Sequence, residues 1–231
     1  MRRAGDTIER VETGASHVAT DGGLEREWWL RTLAVFTSPI TTFSALRDPS
    51  RARADARGEP VLLLVLLAGV ASVLATPTVG DLLDSRERSA ASVAVIIFLA
   101  GALYGTATYW IGGGFLRLGL RAAGSEGTYR QARHLLAYAA APLALGLVVV
   151  WPLRLAAYGG DLFRDGGADE GGAGRIFEAV ELGFFAWAAF LLVLGVKTVH
   201  EWPVVRSLGA LALAALALLV FSLAFLIVGG R

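Results

Sequence analysis

The chain has 231 residues, of which 55% are hydrophobic and 18% charged, with a formal net charge of +1 and no cysteine. Soluble domains carry more charge and less apolar content, so an ordinary soluble fold is excluded. The near-neutral charge gives no footing for nucleic-acid binding, and the lack of cysteine excludes disulfides, iron–sulfur clusters and thiolate metal sites.

The apolar residues gather in five blocks, each near the ~20 residues that cross a ~30 Å hydrocarbon core. The expected fold class is therefore all-α. It is a polytopic membrane protein with five transmembrane helices, preceded by short amphipathic interfacial helices. Arginine and alanine are plentiful and lysine occurs once, a composition that points to a GC-rich bacterial genome.

Residues 1–23 mix charge, Gly, Ser and Thr without periodicity, which predicts a disordered cytoplasmic tail. They hold no apolar core of signal-peptide type, so no cleaved leader is expected. Residues 24–58 differ. Trp29, Leu33 and Phe36 fall at helical spacing, flanked by Glu25, Arg26 and Arg31. Ser38-Pro39 reads as a helix start, with a Ser cap and Pro in the first helical position. Ile40, Phe43 and Leu46 give this second helix an apolar stripe, and Asp48-Pro49 should stop it. Both helices are too short and too charged to span, so they are expected to lie in the interface with Trp28 and Trp29 at headgroup level.

The membrane domain is expected over 59–231, with spans at about 60–80, 89–114, 130–155, 176–199 and 205–228. Pro60 opens the first span and Pro77 disturbs its far end. In the second, the triplet Gly112-Gly113-Gly114 is expected to end or bend the helix, leaving "FLRLGLR" along the membrane surface. Fifteen of the 21 basic residues lie on one side of this arrangement. By the positive-inside rule that side is the cytoplasm, with the N-terminus inside and the C-terminus outside. The cell (cytoplasmic) membrane is the expected location.

The third span opens with "GTYRQARHLLAYAAAP". Thr128 and Gln131 have the spacing of a capping box. Arg130 and Arg133 are expected as interfacial anchors beside Trp28 and Trp29. His134, Tyr138 and Pro142 follow Arg130 at four-residue steps on one face. Pro142 has no N–H, so the Tyr138 carbonyl should lose its helical partner and seek another. The arrangement reads as a capped helix start with a packing kink, and less readily as a polar relay. No further ionisable group lies deeper in this span to extend a proton path.

Gly101 and Gly105, continued by Gly112, form a small-residue face for close helix packing, more readily within one chain than between copies. Glu178 and Glu181 are expected at the outer interface. His134, His200 and Glu201 fall on one side but lack ligand spacing, so no metal is expected. There is no P-loop, GxSxG, HExxH or paired intramembrane aspartate. Catalytic residues and cofactors are not expected.

Three stretches then carry a resemblance. "VFTSPITTFSAL", "GTYRQARHLLAYAAAP" and "WAAFLLVLGVKTVHEW" resemble, in order and spacing, segments of the Yip family over about residues 30–228. These are five-span membrane proteins, named for interaction with Ypt/Rab GTPases, with many prokaryotic relatives. By resemblance, Pro39, Phe43, Tyr138, Pro142, Gly195 and His200 fall on family positions, with structural roles implied. The acidic-Leu-Tyr-Gly-Pro motif of eukaryotic members is replaced here by "ARGEPVLLLV", which argues against a GTPase or vesicle-coat partner. The resulting expectation is a non-enzymatic membrane-organising or partner-recruiting component. Its partners are the lipid bilayer, a membrane or cytoplasmic protein and further copies of itself, with no nucleic acid. The alternative is a small solute or ion transporter or channel, with Pro77, Pro142, the glycine triplet and Glu178/Glu181 able to line a cavity.

Overall fold

The computed structural model describes residues 33–47, 59–76, 90–159 and 171–229. The expected tail, Trp28, Trp29, Asp48-Pro49 and Pro77 lie outside the described residues. The described chain is helical throughout its ordered elements. They are α1 (Pro39–Ala45), α2 (Glu59–Leu74), α3 (Ala90–Ala107), a π-helical turn (Thr108–Gly112), α4 (Gly113–Ala122), α5 (Tyr129–Ala139), α6 (Ala141–Tyr158), α7 (Gly172–His200) and α8 (Val204–Gly229).

Four helical segments are long and apolar enough to cross a membrane: Ala91–Ala122, Tyr129–Tyr158, Gly174–His200 and Val204–Val228. The apolar part of α2, Val61–Leu74, is shorter, about 21 Å at 1.5 Å per residue. Burial supports a lipid environment. Among the described residues of α8, none beyond Ala214 is buried, and Phe221, Phe225, Leu226 and Ile227 stand exposed. A soluble monomer does not leave an apolar face of that size open to water.

The glycine triplet does not end the second span. The helix passes through it by the π turn and continues as α4 to Ala122. "FLRLGLR" is therefore helix rather than a surface strip beyond the span. An extra residue in one turn rotates the following face by about 100°. That rotation matters for packing. A Cβ on Gly113 would meet Arg133 Cγ of α5 at 2.4 Å, and one on Gly119 would meet the Ala210 carbonyl of α8 at 2.3 Å. Both helices approach α4 as closely as backbone allows, because these two positions lack side chains.

The third span parts at Ala140, two residues before Pro142. The Ala140 N–H donates to Leu136 and Ala137 carbonyls, at 3.0 and 3.2 Å. The Tyr138 carbonyl, expected to seek a neighbouring helix or water, accepts a backbone N–H of the cap itself. Local tightening of the last turn satisfies it. The helix then restarts with Pro142 in its first turn, where a missing N–H costs nothing.

α2 packs between α3 and α6, α7 lies against α1, α5, α6 and α8, and α4 lies against α5 and α8. The main core joins Phe43, Val61, Leu116, Leu135, Tyr138, Leu191 and Val196. A smaller cluster of Val93 and Ile97 with Val70, Val73 and Leu74 extends the α2–α3 contact.

The N-terminal segment runs alongside α7 in the same direction. Arg47 reaches Thr198, the Phe43 ring covers Gly195, and the Phe36 ring meets Trp187 edge-on at 5.5 Å. The expected stripe divides: Phe43 is fully buried, Leu46 half-buried and Ile40 exposed. Ser38 stands at the N-cap, but its side chain makes no cap hydrogen bond, and Pro at the helix start does the work alone. Gly195 is required by this docking, since a Cβ there would lie 2.9 Å from Phe43 Cε1. Phe43→Ala should therefore lower the stability of the docked segment by about 3–5 kcal/mol, the usual cost of emptying a buried Phe site. The check is the melting temperature in detergent together with protease cleavage near residue 47, which should accelerate.

A candidate polar cleft at the basic end

Three helix ends meet where α1 stops, α4 turns into α5 and α7 turns into α8. They enclose a cleft of about 510 Å³, lined by residues that include Arg47, Ser125, Gln131, His134, His200 and Trp202. Each wall is held by a polar contact between segments distant in sequence.

Arg47 closes the end of α7. Its Nε donates to the Thr198 carbonyl at 2.7 Å, its Nη2 donates to the same carbonyl, and its Nη1 pairs with the Glu201 carboxylate. Helix C-termini leave carbonyls without partners and carry partial negative charge, so a guanidinium there satisfies both. Glu201 itself turns the chain in the left-handed region, with φ 53°, and the Trp202 N–H returns to the Lys197 carbonyl at 3.2 Å. Arg206 does the same for the end of α4, donating to the Ala123 carbonyl from Nε and Nη2 at 3.0 and 2.7 Å. Its guanidinium also lies over Trp202, 4.2 Å from the ring centroid. Gly124 beside it has φ 91°, a conformation that excludes most side chains.

Gln131 links the other two walls. The expected capping box is only half formed: Thr128 Oγ1 accepts the Gln131 N–H at 3.2 Å. The Gln131 side chain does not turn back to the cap. Its Nε2 donates to the Leu46 carbonyl at 2.9 Å and so ties α5 to the end of α1. A free C-terminal carbonyl of a neighbouring helix outcompeted the local reciprocal bond.

His200 stacks on Trp202 with centroids 4.7 Å apart, and its Nδ1 lies 3.4 Å from Ser125 Oγ. Its Nε2 is buried without a hydrogen-bond partner. His134, from α5, is buried and lines the same cleft. The two histidines share one cavity, while Glu201 is engaged by Arg47 rather than joined to them. Among the described residues no group of three or more His, Asp or Glu side chains is suited to a metal ion.

The remaining expected residues fall elsewhere. Tyr138 and Pro142 are buried in the core beyond the cleft. Pro39 opens α1, and Arg130 lines the cleft. Arg133 turns away from it into an aromatic cage, with its guanidinium 3.8 Å from the Trp110 ring, 4.6 Å from Tyr129 and 5.0 Å from Tyr109. Gly101 and Gly105 meet α2 within the same chain, while Gly112 faces Leu136 of α5. Glu181, expected at the outer interface, pairs with Arg154 of α6 at 3.0 Å, with both side chains largely covered. Sequence reasoning missed Arg47, Gly69 and Arg154. Only Arg154 carried a signal, as a charge inside an apolar block.

A bundle of long apolar helices with exposed apolar faces defines a multi-pass helical membrane protein. The Yip1 domain model matches residues 33–226, which is most of the chain, and the protein belongs to the Yip1-domain family. No curated protein and no solved structure matches the chain.

Proposed function

We propose that this protein is a non-enzymatic, membrane-organising member of its family that recruits a partner protein at its basic end. The observation that carries the proposal is the cleft. It is a concavity large enough for a side-chain cluster of a partner, held open by Arg47, Gln131 and Arg206 bonds between three separate segments. Pre-organised walls of this kind lower the ordering cost of association. The excess of arginine at this end favours a cytoplasmic orientation, in the cell membrane with the N-terminus inside and the C-terminus outside. The N-terminal segment, including Trp28 and Trp29, would then lie on the same side and add to the recruiting surface.

A photo-crosslinking residue at Glu126 or Thr128, on the cleft rim, should yield a discrete protein adduct in cells. The adduct should disappear with Gln131→Leu, which releases the α1 wall. The same probe at Leu103, on an exposed apolar face, should give none. Identical adducts from Leu103 would defeat the proposal. Reconstituted vesicles separate it from the transporter reading: solute or proton flux lost on Pro142→Ala would favour transport.

A further inference from the structure

A second basic feature lies on the outside of α4, away from the cleft. A groove of about 380 Å³ is lined by Trp110, Ile111, Gly114, Leu118 and Tyr129, with Arg117 and Arg121 at one end. No acidic residue lines it. Neither arginine has a hydrogen-bond or ion-pair partner among the described residues, and Arg117 Nε is buried without one. A buried guanidinium N–H without a partner is costly and asks for an acceptor. Arg47, Arg133 and Arg206, by contrast, are each engaged by a carbonyl, a carboxylate or an aromatic ring.

Depth and direction narrow the acceptor. Arg117 and Arg121 are one turn apart, about 6 Å along the axis, in the last turns of the span Ala91–Ala122. That is headgroup level. Ile111 lies six residues deeper, about 9 Å, and it and Leu118 are exposed apolar side chains. Gly114 opens the middle of the groove: a Cβ there would only touch Tyr129 Cε2, at 3.8 Å. Trp110 and Tyr129 form the side wall, fixed by their contact with the Arg133 guanidinium. The groove is thus charged at headgroup depth and apolar toward the membrane centre.

We infer that this groove holds one anionic phospholipid, with its phosphate accepting from Arg117 and Arg121 and an acyl chain lying along Ile111, Gly114 and Leu118. Guanidinium forks match phosphate oxygens in geometry and charge, and basic pockets beside transmembrane helices recognise headgroups in this way. The inference is independent of partner recruitment at the cleft.

The test is lipid retention by the full-length protein in detergent, read by native mass spectrometry across a titration of phosphatidylglycerol or phosphatidylcholine. Phosphatidylglycerol should be retained at roughly tenfold lower concentration, as expected for two charge-assisted contacts. Arg117→Gln/Arg121→Gln should abolish the preference while leaving the lipid-free melting temperature unchanged. Gly114→Leu should weaken retention of both lipids by filling the groove. Lys197→Gln, an exposed charge on α7, should leave the preference intact. Equal retention of the two lipids, or loss of preference with Lys197→Gln, overturns the inference. Competition by inorganic phosphate at equal strength also overturns it, because the site would then take a free anion. A covalent dimer through Leu118→Cys, in the otherwise cysteine-free chain, would assign the groove to a second copy and overturn it equally.

Discussion

Gly105→Leu should abolish the folded protein. A Cβ at Gly105 would lie 2.2 Å from the Val65 carbonyl oxygen, and one at Gly69 would lie 2.2 Å from the Gly101 carbonyl oxygen and 2.6 Å from Gly105 Cα. These are contacts of backbone with backbone, so no rotamer change relieves them. In a membrane, helices hold together by such close approach rather than by apolar burial. Ordinary overpacking costs about 1–3 kcal/mol because side chains give way. Here α2 and α3 must separate instead, and the cost should exceed that range. Gly105→Ala should lower the melting temperature in detergent, and Gly105→Leu should remove the monodisperse peak on size exclusion. Gly183→Leu and Gly209→Leu serve as controls, since nothing lies within 4 Å of a Cβ at either position. Equal behaviour of Gly105→Leu and Gly183→Leu would show that the crossing is not needed.

The second large effect is expected at Arg154 and Glu181. The two side chains pair across α6 and α7 at 3.0 Å, with relative exposures of 13% and 18%. Arg154 also lies 5.0 Å from the centroid of the Trp151 ring. Removing either charge alone breaks the pair inside a span, which typically costs about 3–5 kcal/mol for a buried pair. Arg154→Leu and Glu181→Leu should each reduce folded yield sharply. The double variant should recover most of it, because two apolar side chains need no pairing. Melting temperatures of the four proteins in one detergent give the coupling directly. Additive single effects would mean that the pair contributes only as two independent charges.

Both sites show how legibility divides. The small face of Gly101 and Gly105 is visible as a spacing in the sequence, because helical periodicity alone puts both residues on one side. Its partner Gly69 is not visible, since no repeat in "VLLAGVAS" marks it. Glu181 is readable from the sequence as a charge near the start of a span, but its partner lies 27 positions away, where no local rule reaches. The polar half of "GTYRQARHLLAYAAAP" was legible as a capped, basic helix start. Its details were not: Gln131 left the capping box for Leu46, and Arg133 entered an aromatic cage. In each case a group from another helix offered a better partner than the local one.

By itself the sequence determined the class. Apolar blocks of membrane length, few charges and no cysteine allow a helical membrane bundle, since each helix satisfies its own backbone in lipid. It also determined the break near Pro142, because a missing N–H is a local fact. Only the tertiary structure decided what faces what. The glycine triplet became continued helix after a π turn rather than an end, because packing of Gly113 on α5 and Gly119 on α8 stabilises a continued helix. The cleft exists because Arg47, Gln131 and Arg206 each cap a helix other than their own. Those choices depend on distances between segments, and a linear sequence does not contain them.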